Sequence, residues 1–283
     1  VLVSALNERP DRVGVRYARK VFVDAFLRHR RGFEVELPAV PLVRLYGEEL
    51  RGWFDSRGVT IMFNAGIRKV IAGGEGVFSL ELRDGSMVNA DWYVMAVPFD
   101  RLLDLLPADW VARYECFSNV KQLSYSPITS VHLWFDRAVM DLPHVVLVDC
   151  VGQWVFNRGA IAGGEHYLQV VVSAARDFRG PGHDEVQRRI VEELAGLFPA
   201  CANAKLIRAK VITEHAATFS AVPGVDRWRP EQTTPIDNLF LAGDWTATSW
   251  PATMEGAVRS GYLAAEALLT RLGMGALLLQ PDL

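Results

Sequence analysis

The residues best suited to chemistry lie between Leu239 and Gly261. Leu239-Phe240-Leu241-Ala242 reads as a short apolar strand, and it runs into Gly243-Asp244-Trp245-Thr246. A loop through Trp250 leads to Pro251-Ala252-Thr253-Met254, where a helix is predicted to start and to continue to Arg271. A carboxylate at a strand end suits a polyhydroxyl ligand. The N–H groups of Thr253 to Gly256 would form a positive helix end, which favours an anion or an electron-rich ring. Ala257, Ser260, Gly261, Ala264 and Ala265 form a small-residue stripe for close packing. The same local pattern also fits an ordinary strand–loop–helix connection with an exposed Asp, and spacing alone does not choose between them.

Other reactive residue types show no such arrangement. His132 lies on an alternating strand and is read as structural first and catalytic second. His29, His144, His166, His183 and His215 lack metal-ligand spacing, so no metal site is expected. Cys116, Cys150 and Cys201 lie far apart, which argues against a disulfide scaffold or a zinc ribbon and for a reducing compartment. Trp134, Trp154, Trp245 and Trp250 are candidates to line a cavity for an apolar substrate. Core packing is the competing reading for Trp134 and Trp154, whereas Trp245 and Trp250 flank the Gly-Asp turn. Arg68 and Lys69 either neutralise a phosphate or sit on a solvated turn. No GxSxG, HExxH or paired-carboxylate motif gives hydrolase chemistry a foothold.

The elements that must position these residues alternate in character. Helices are predicted over 11–31, with Val15, Ala18, Val21, Phe22, Ala25, Phe26 and His29 on one face, and over 42–56, with Leu45, Glu49 and Trp53 on one face. Short strands follow from Val59 to Ala90, with Asp84-Gly85 as a hairpin signal. Trp92 to Val97 reads as a buried strand, and Pro98 opens a helix ended by Pro107. From Pro127 the pattern is again strand-like through 126–137, 145–150, 153–157 and 166–174. A helix over 182–197, a strand over 204–214 and a loop over 221–235 complete the chain before Asn238. The fold class is therefore mixed α/β.

With 283 residues, half of them hydrophobic, the chain has ample material for a core and is not disordered. Thirty basic against 33 acidic residues leave a net charge of −3, which lowers the expectation of nucleic-acid binding. The opening VLVSALNERPDR carries no signal-type stretch, and no apolar run reaches the ~18 residues of a spanning helix. The expected location is cytoplasmic.

LFLAGDWT…PATMEGAVRSG resembles the C-terminal flavin-binding signature of the flavin amine oxidase and phytoene desaturase superfamily. The resemblance implies FAD as cofactor and a partial FAD-binding Rossmann-like domain interleaved with a substrate domain of mixed sheet and helices. It makes Asp244, beside Gly243 and Trp245, the ribityl or phosphate ligand, and sets the backbone of Ala252, Thr253 and Met254 against the flavin carbonyl. Val59 to Val70, with Asn64 in the turn, resembles the superfamily's strand pair against the adenine, with Val70 the contact. Ala90-Asp91 to Ala96-Val97-Pro98 resembles the segment that returns to the flavin, with Ala96 near it.

The blocks at 126–137, 141–144 and 153–158 are similar to squalene-associated FAD-dependent desaturases, the hydroxysqualene dehydroxylases of hopanoid and squalene biosynthesis. The implied domains are 1–57 (substrate, helical), 58–108 (FAD), 109–222 (substrate, sheet and helices), 223–272 (FAD) and a tail at 273–283. The implied reaction is reductive dehydroxylation of an apolar C30 isoprenoid alcohol, with peripheral membrane contact helping the substrate to enter. The alternatives are a carotenoid desaturase, a flavin amine oxidase, or a non-catalytic fragment unable to bind flavin alone. The superfamily's GxGxxG unit is absent: Gly73-Gly74-Glu75-Gly76, Gly180-Pro181-Gly182 and Gly273-Met274-Gly275 do not fit it. The chain, which opens at Val1 without an initiating Met, is therefore expected to be the C-terminal portion of a longer flavoenzyme, lacking an N-terminal segment of the same protein.

Overall fold

The computed structural model describes residues 1–283 except His29, Glu75, Arg179, Pro181, Asp282 and Leu283. The strands in chain order are β1 (Ile67–Gly73), β2 (Gly76–Leu82), β3 (Met87–Val88), β4 (Tyr93–Met95), β5 (Tyr125–Phe135), β6 (His144–Val146), β7 (Trp154–Ala160), β8 (His166–Ser173), β9 (Leu206–Phe219) and β10 (Leu239–Leu241). The chain divides into two compact units, each assembled from three separate stretches. One holds Val1–Ala18, Lys121–Arg229 and Ser249–Ala257; the other holds Arg19–Val120, Pro230–Thr248 and Val258–Leu283.

The first unit is built on an antiparallel sheet in the order β6-β7-β8-β5-β9. Successive strand residues point to opposite faces, so alternation separates two surfaces. Val131, Leu133 and Phe135 of β5 are buried with Val155, Leu168, Val170 and Val211. Against them packs the helix His183–Leu197, whose Val186, Ile190 and Leu194 recur every four residues and so share one face. Ser130, His132 and Trp134 take the opposite, half-buried surface.

Side chains distant in sequence fasten the N-terminal stretch to this sheet. Asn7 adopts left-handed backbone at φ 50°. Its Nδ2 donates to the Ser126 carbonyl at 2.9 Å and to Thr218 Oγ1 at 2.8 Å, and its Oδ1 accepts from the Ala174 N–H at 2.6 Å. Glu8 is fully buried. It accepts a bidentate pair of bonds from Arg176 at 2.7 and 2.6 Å, and a further bond from the Ser220 hydroxyl. Burial pushes the Glu8 carboxyl up. The hydrogen bonds from Arg176, Ser220 and the Arg9 N–H outweigh that and hold it below the usual carboxylate range.

The second unit contains the antiparallel meander β1-β2-β3 and a parallel pair, β4 with β10. Asn238 joins them. Its Oδ1 accepts from the Val77 N–H at 2.8 Å, while its Nδ2 donates to the carbonyls of Val77 at 2.9 Å and Asp91 at 3.2 Å. The expected hairpin turn forms at Asp84-Gly85, with Gly85 at φ 87° and Asp84 Oδ1 accepting from the Ser86 N–H. Pro98 precedes a helix over Phe99–Leu105, as its position predicts.

Several expectations need correction. Val59–Asn64 forms no strand, and β1 pairs with β2 alone. Asn64 does occupy a turn, at φ 57°. The predicted N-terminal helices are present over Val15–Leu27 and Arg44–Asp55, widening to π geometry over Lys20–Leu27 and Arg44–Glu49. Their apolar faces are not buried: Phe22 is 44% and Trp53 49% exposed, and the side chain that is buried is Tyr17. His29 lies outside the described residues, as do Glu75 and Pro181 of the glycine clusters and the last two residues of the tail.

Candidate functional site

The second unit assembles its site where two parallel strands end together. β10 runs beside β4 in register, so the chain leaves Met95 and Leu241 in the same direction. In parallel sheets, ligands bind beyond such carboxyl ends. The Ala242 N–H donates to the Met95 carbonyl at 3.0 Å and extends the pairing by one residue. The chain then turns sharply at Gly243, whose φ of 137° lies in the region that favours glycine. A Cβ at this position would overlap the indole nitrogen of Trp245.

Four contacts hold this turn. The Gly243 N–H donates to Ser260 Oγ at 2.7 Å. The Gly243 carbonyl accepts from Thr246, through its N–H at 3.0 Å and its hydroxyl at 2.8 Å. Gln232 Nε2 donates to Thr246 Oγ1 at 2.9 Å. Trp245 is 2% exposed, and its Nε1 donates to the Val97 carbonyl at 3.0 Å, tying the loop after β10 to the loop after β4. Asp244 is half-buried within this frame, and Ala96 is exposed one residue past β4. Val70 is buried at the middle of β1, an edge strand of its sheet. Gly243 gives its side-chain space to the Trp245 indole and makes the turn that places the Asp244 carboxylate, an acceptor suited to the sugar-alcohol hydroxyls of a dinucleotide.

Trp250, Ala252, Thr253 and Met254 belong to the first unit, and the stripe residues Ser260, Gly261, Ala264 and Ala265 to the second. The helix begins at Met254 rather than Pro251. Thr253 caps it: Thr253 Oγ1 accepts from the Gly256 N–H at 3.0 Å, and its carbonyl accepts from Ala257. The cap therefore takes one of the N–H groups predicted to be open to a ligand. Ala252 and Trp250 are half-buried and Met254 is exposed. Gly256 is required for close packing, since a Cβ there would stand 2.8 Å from the Pro251 carbonyl. Of the predicted small stripe, Ser260 and Ala264 are buried, whereas Gly261 faces open space.

Trp134 and Trp154 share the half-buried face of the five-stranded sheet. Trp134 stacks on Tyr167 with ring centres 4.9 Å apart, and the Arg208 guanidinium lies 3.9 Å over it. Trp154 stacks on Phe156 at 5.6 Å. His132 Nδ1 shares a 2.6 Å hydrogen bond with the Tyr167 hydroxyl. Burial, then the nearby Lys210 and Arg158, lower the His132 pKa and favour its neutral form. Burial raises that of Tyr167 against the opposing pull of Arg158. Sequence reading missed Tyr167, Arg158 and Lys210. Their signal was the period-two alternation of β7, β8 and β9.

Comparison with known proteins fits this geometry. Residues 45–269 match the model of the family described as flavin containing amine oxidoreductase. The chain is 32% identical over 228 residues to the 15-cis-phytoene desaturase of Solanum lycopersicum, covering 76% of this chain and 39% of that protein. It is 28% identical over 266 residues to the 15-cis-phytoene desaturase of Synechococcus elongatus, covering 88% and 56%. Among solved structures, cyclohexylamine oxidase from Brevibacterium oxydans matches with a TM-score of 0.66 at 13% identity, covering 96% of this chain and 63% of that one.

The chain belongs to the flavin containing amine oxidoreductase family. Membership bears out the flavin cofactor, FAD, and the mixed α/β fold expected from the sequence. The chain spans about half the length of the curated relatives it matches. Among the described residues, no helix is long and apolar enough to cross a membrane, and no group of three His, Cys, Asp or Glu residues is placed to hold a metal.

Proposed function

We propose that this chain supplies the C-terminal part of the FAD site and the substrate-binding sheet of an FAD-dependent oxidoreductase that acts on an isoprenoid. The observation that carries the proposal is the Gly243-Asp244 turn at the joint carboxyl ends of β4 and β10, in a chain of this family. Asp244 would accept hydrogen bonds from the ribityl hydroxyls or lie at the phosphates. Gly243 would make the turn that sets Asp244 at the cofactor, and Trp245 would keep the two loops aligned. Val70 would meet the adenine through its backbone, with Ala96 beside the cofactor. The backbone at Ala252, Thr253 and Met254 would face the flavin carbonyl, where a helix start favours negative charge. When bound, FAD supplies two-electron hydride exchange.

Carotenoid desaturation of the phytoene type is the better supported reaction, because relatives at 28–32% identity include phytoene desaturases and a zeta-carotene desaturase. Reductive dehydroxylation of hydroxysqualene is the second reading, favoured by the block Ser126 to Arg137 and its neighbours at 141–144 and 153–158. Peripheral membrane contact belongs to the same proposal, supported by the exposed Phe22, Phe26, Leu27 and Phe33. Co-flotation of the chain with anionic vesicles is expected, and its absence would reject that contact.

The test supplies a strand–GxGxxG–helix segment ahead of residue 1 and measures flavin absorbance after gel filtration. Phytoene is then offered with an electron acceptor, and hydroxysqualene with a reductant. Retained flavin with phytoene turnover is expected. Squalene formed from hydroxysqualene would select the second reading, and a colourless protein would refute the flavoenzyme reading.

A further inference from the structure

The half-buried face of the five-stranded sheet carries more charge than an apolar substrate needs. At ~4.8 Å per strand, the face is about 19 Å wide. One row across it, read from the strand registers, runs Phe156, Gln169, His132, Lys210. A second runs Trp154, Val171, Ser130, Ile212. Tyr167, Trp134 and Arg208 form a third. The face is thus an aromatic and aliphatic shelf with Lys210 and Arg208 along its β9 side.

Those cations differ in their partners. Arg208 is paired with Glu165 at 3.0 Å. Arg158 bonds to the neutral Gln169, through Nε at 3.2 Å and Nη2 at 2.8 Å, while its guanidinium lies 5.1 Å over the Phe156 ring. Among the described residues, Arg158 and Lys210 form no ion pair. They flank His132 from opposite sides: Lys210 is opposite it on β9, and Gln169, which carries Arg158, is opposite it on β8. Glu214 shares the face, but four residues along β9 from Lys210 and opposite Ile128.

His132 adds a donor. Burial, and then the two cations beside it, lower the His132 pKa and favour the neutral imidazole. With Nδ1 accepting a hydrogen bond from the Tyr167 hydroxyl, Nε2–H is left to donate. Two uncompensated cations and an imidazole N–H converging above an apolar shelf make a receptor for a negatively charged oxygen group on a long hydrocarbon body.

We infer that this sheet face binds an anionic isoprenoid, its phosphate or carboxylate head between Arg158 and Lys210 and its prenyl chain across Trp134, Trp154, Val171 and Ile212. The inference rests on the oxidoreductase reading only for the choice of an isoprenoid body, and it gives this sheet face a charged amphiphile as a ligand in addition to the substrate of that reading.

The test is quenching of tryptophan fluorescence in the flavin-free 283-residue chain, titrated with farnesyl phosphate, farnesoic acid, farnesol, squalene and inorganic phosphate. Both anionic prenyl ligands should bind at least tenfold more tightly than farnesol or squalene, and inorganic phosphate should compete only weakly. Arg158→Gln and Lys210→Gln should each weaken binding of the anions about tenfold and leave farnesol unchanged, since each removes one charge-assisted bond. Unchanged far-UV circular dichroism and melting temperature will show that the variants are folded.

Equal affinity for farnesol, or variants with unchanged affinity, would overturn the inference. So would inorganic phosphate binding as tightly as farnesyl phosphate, or quenching produced only by phosphatidylglycerol vesicles. Flavin is absent from this assay, so loss of the oxidoreductase reading would leave its result standing, and the reverse also holds.

Discussion

Gly243 shows how much one residue decides. Its φ of 137° and the Trp245 indole against its α-carbon leave no room for a side chain. Gly243→Ala is expected to cost about 1–3 kcal/mol of stability and to displace Trp245 from the Val97 carbonyl. A thermal melt and the near-ultraviolet signal of Trp245 check it, and an unchanged melt would contradict the strain argued here. Glu8 gives a pH signature. Its carboxyl titrates below the ordinary carboxylate value, so its contribution is complete above about pH 4.5 and is lost as pH falls through the lowered folded value. Glu8→Gln should cost about 3–5 kcal/mol at neutral pH by stranding Arg176, and should flatten the acid limb of the stability profile. The strand and glycine turn before Asp244 were legible because that pattern is local. Glu8 was not, because its partner Arg176 lies 168 positions away.

At the scale of elements, the helix Met254–Arg271 depends on its start. Thr253→Ala removes the bond to the Gly256 N–H and should lower stability by about 0.5–2 kcal/mol, while Thr253→Ser should restore most of it. Urea unfolding monitored by circular dichroism separates the two. Strands with one buried face were readable, since the alternation of β5 and β8 mirrors their burial. Val59–Asn64 has strand composition without strand structure. Composition reports only that a segment fits a pleated surface, and pairing requires a partner edge that the sequence does not announce. The N-terminal helices were readable by period, but their apolar faces were not evidence of burial, as Phe22 and Trp53 show.

At the scale of the molecule, the first two stretches of each unit are separated by more than a hundred residues. Residues 1–120 alone therefore contain no complete unit and should show no cooperative melt by calorimetry, even though they include all of β1 to β4. A sharp transition in that fragment would contradict the assembly described. An interleaved domain arrangement was implied only by the resemblance that the flavin motif carries. The boundaries were not readable, because the composition does not shift where the chain passes from one unit to the other. Asn238 carries a last consequence. Its amide offers Val77 an acceptor and a donor, as a neighbouring strand would, and a Cβ on Gly76 would stand 2.9 Å from its Oδ1. Asp has the same shape but would set oxygen against oxygen at Val77. Over evolutionary time, positions 76 and 238 should therefore drift together or not at all, one covarying unit of inheritance written 162 residues apart.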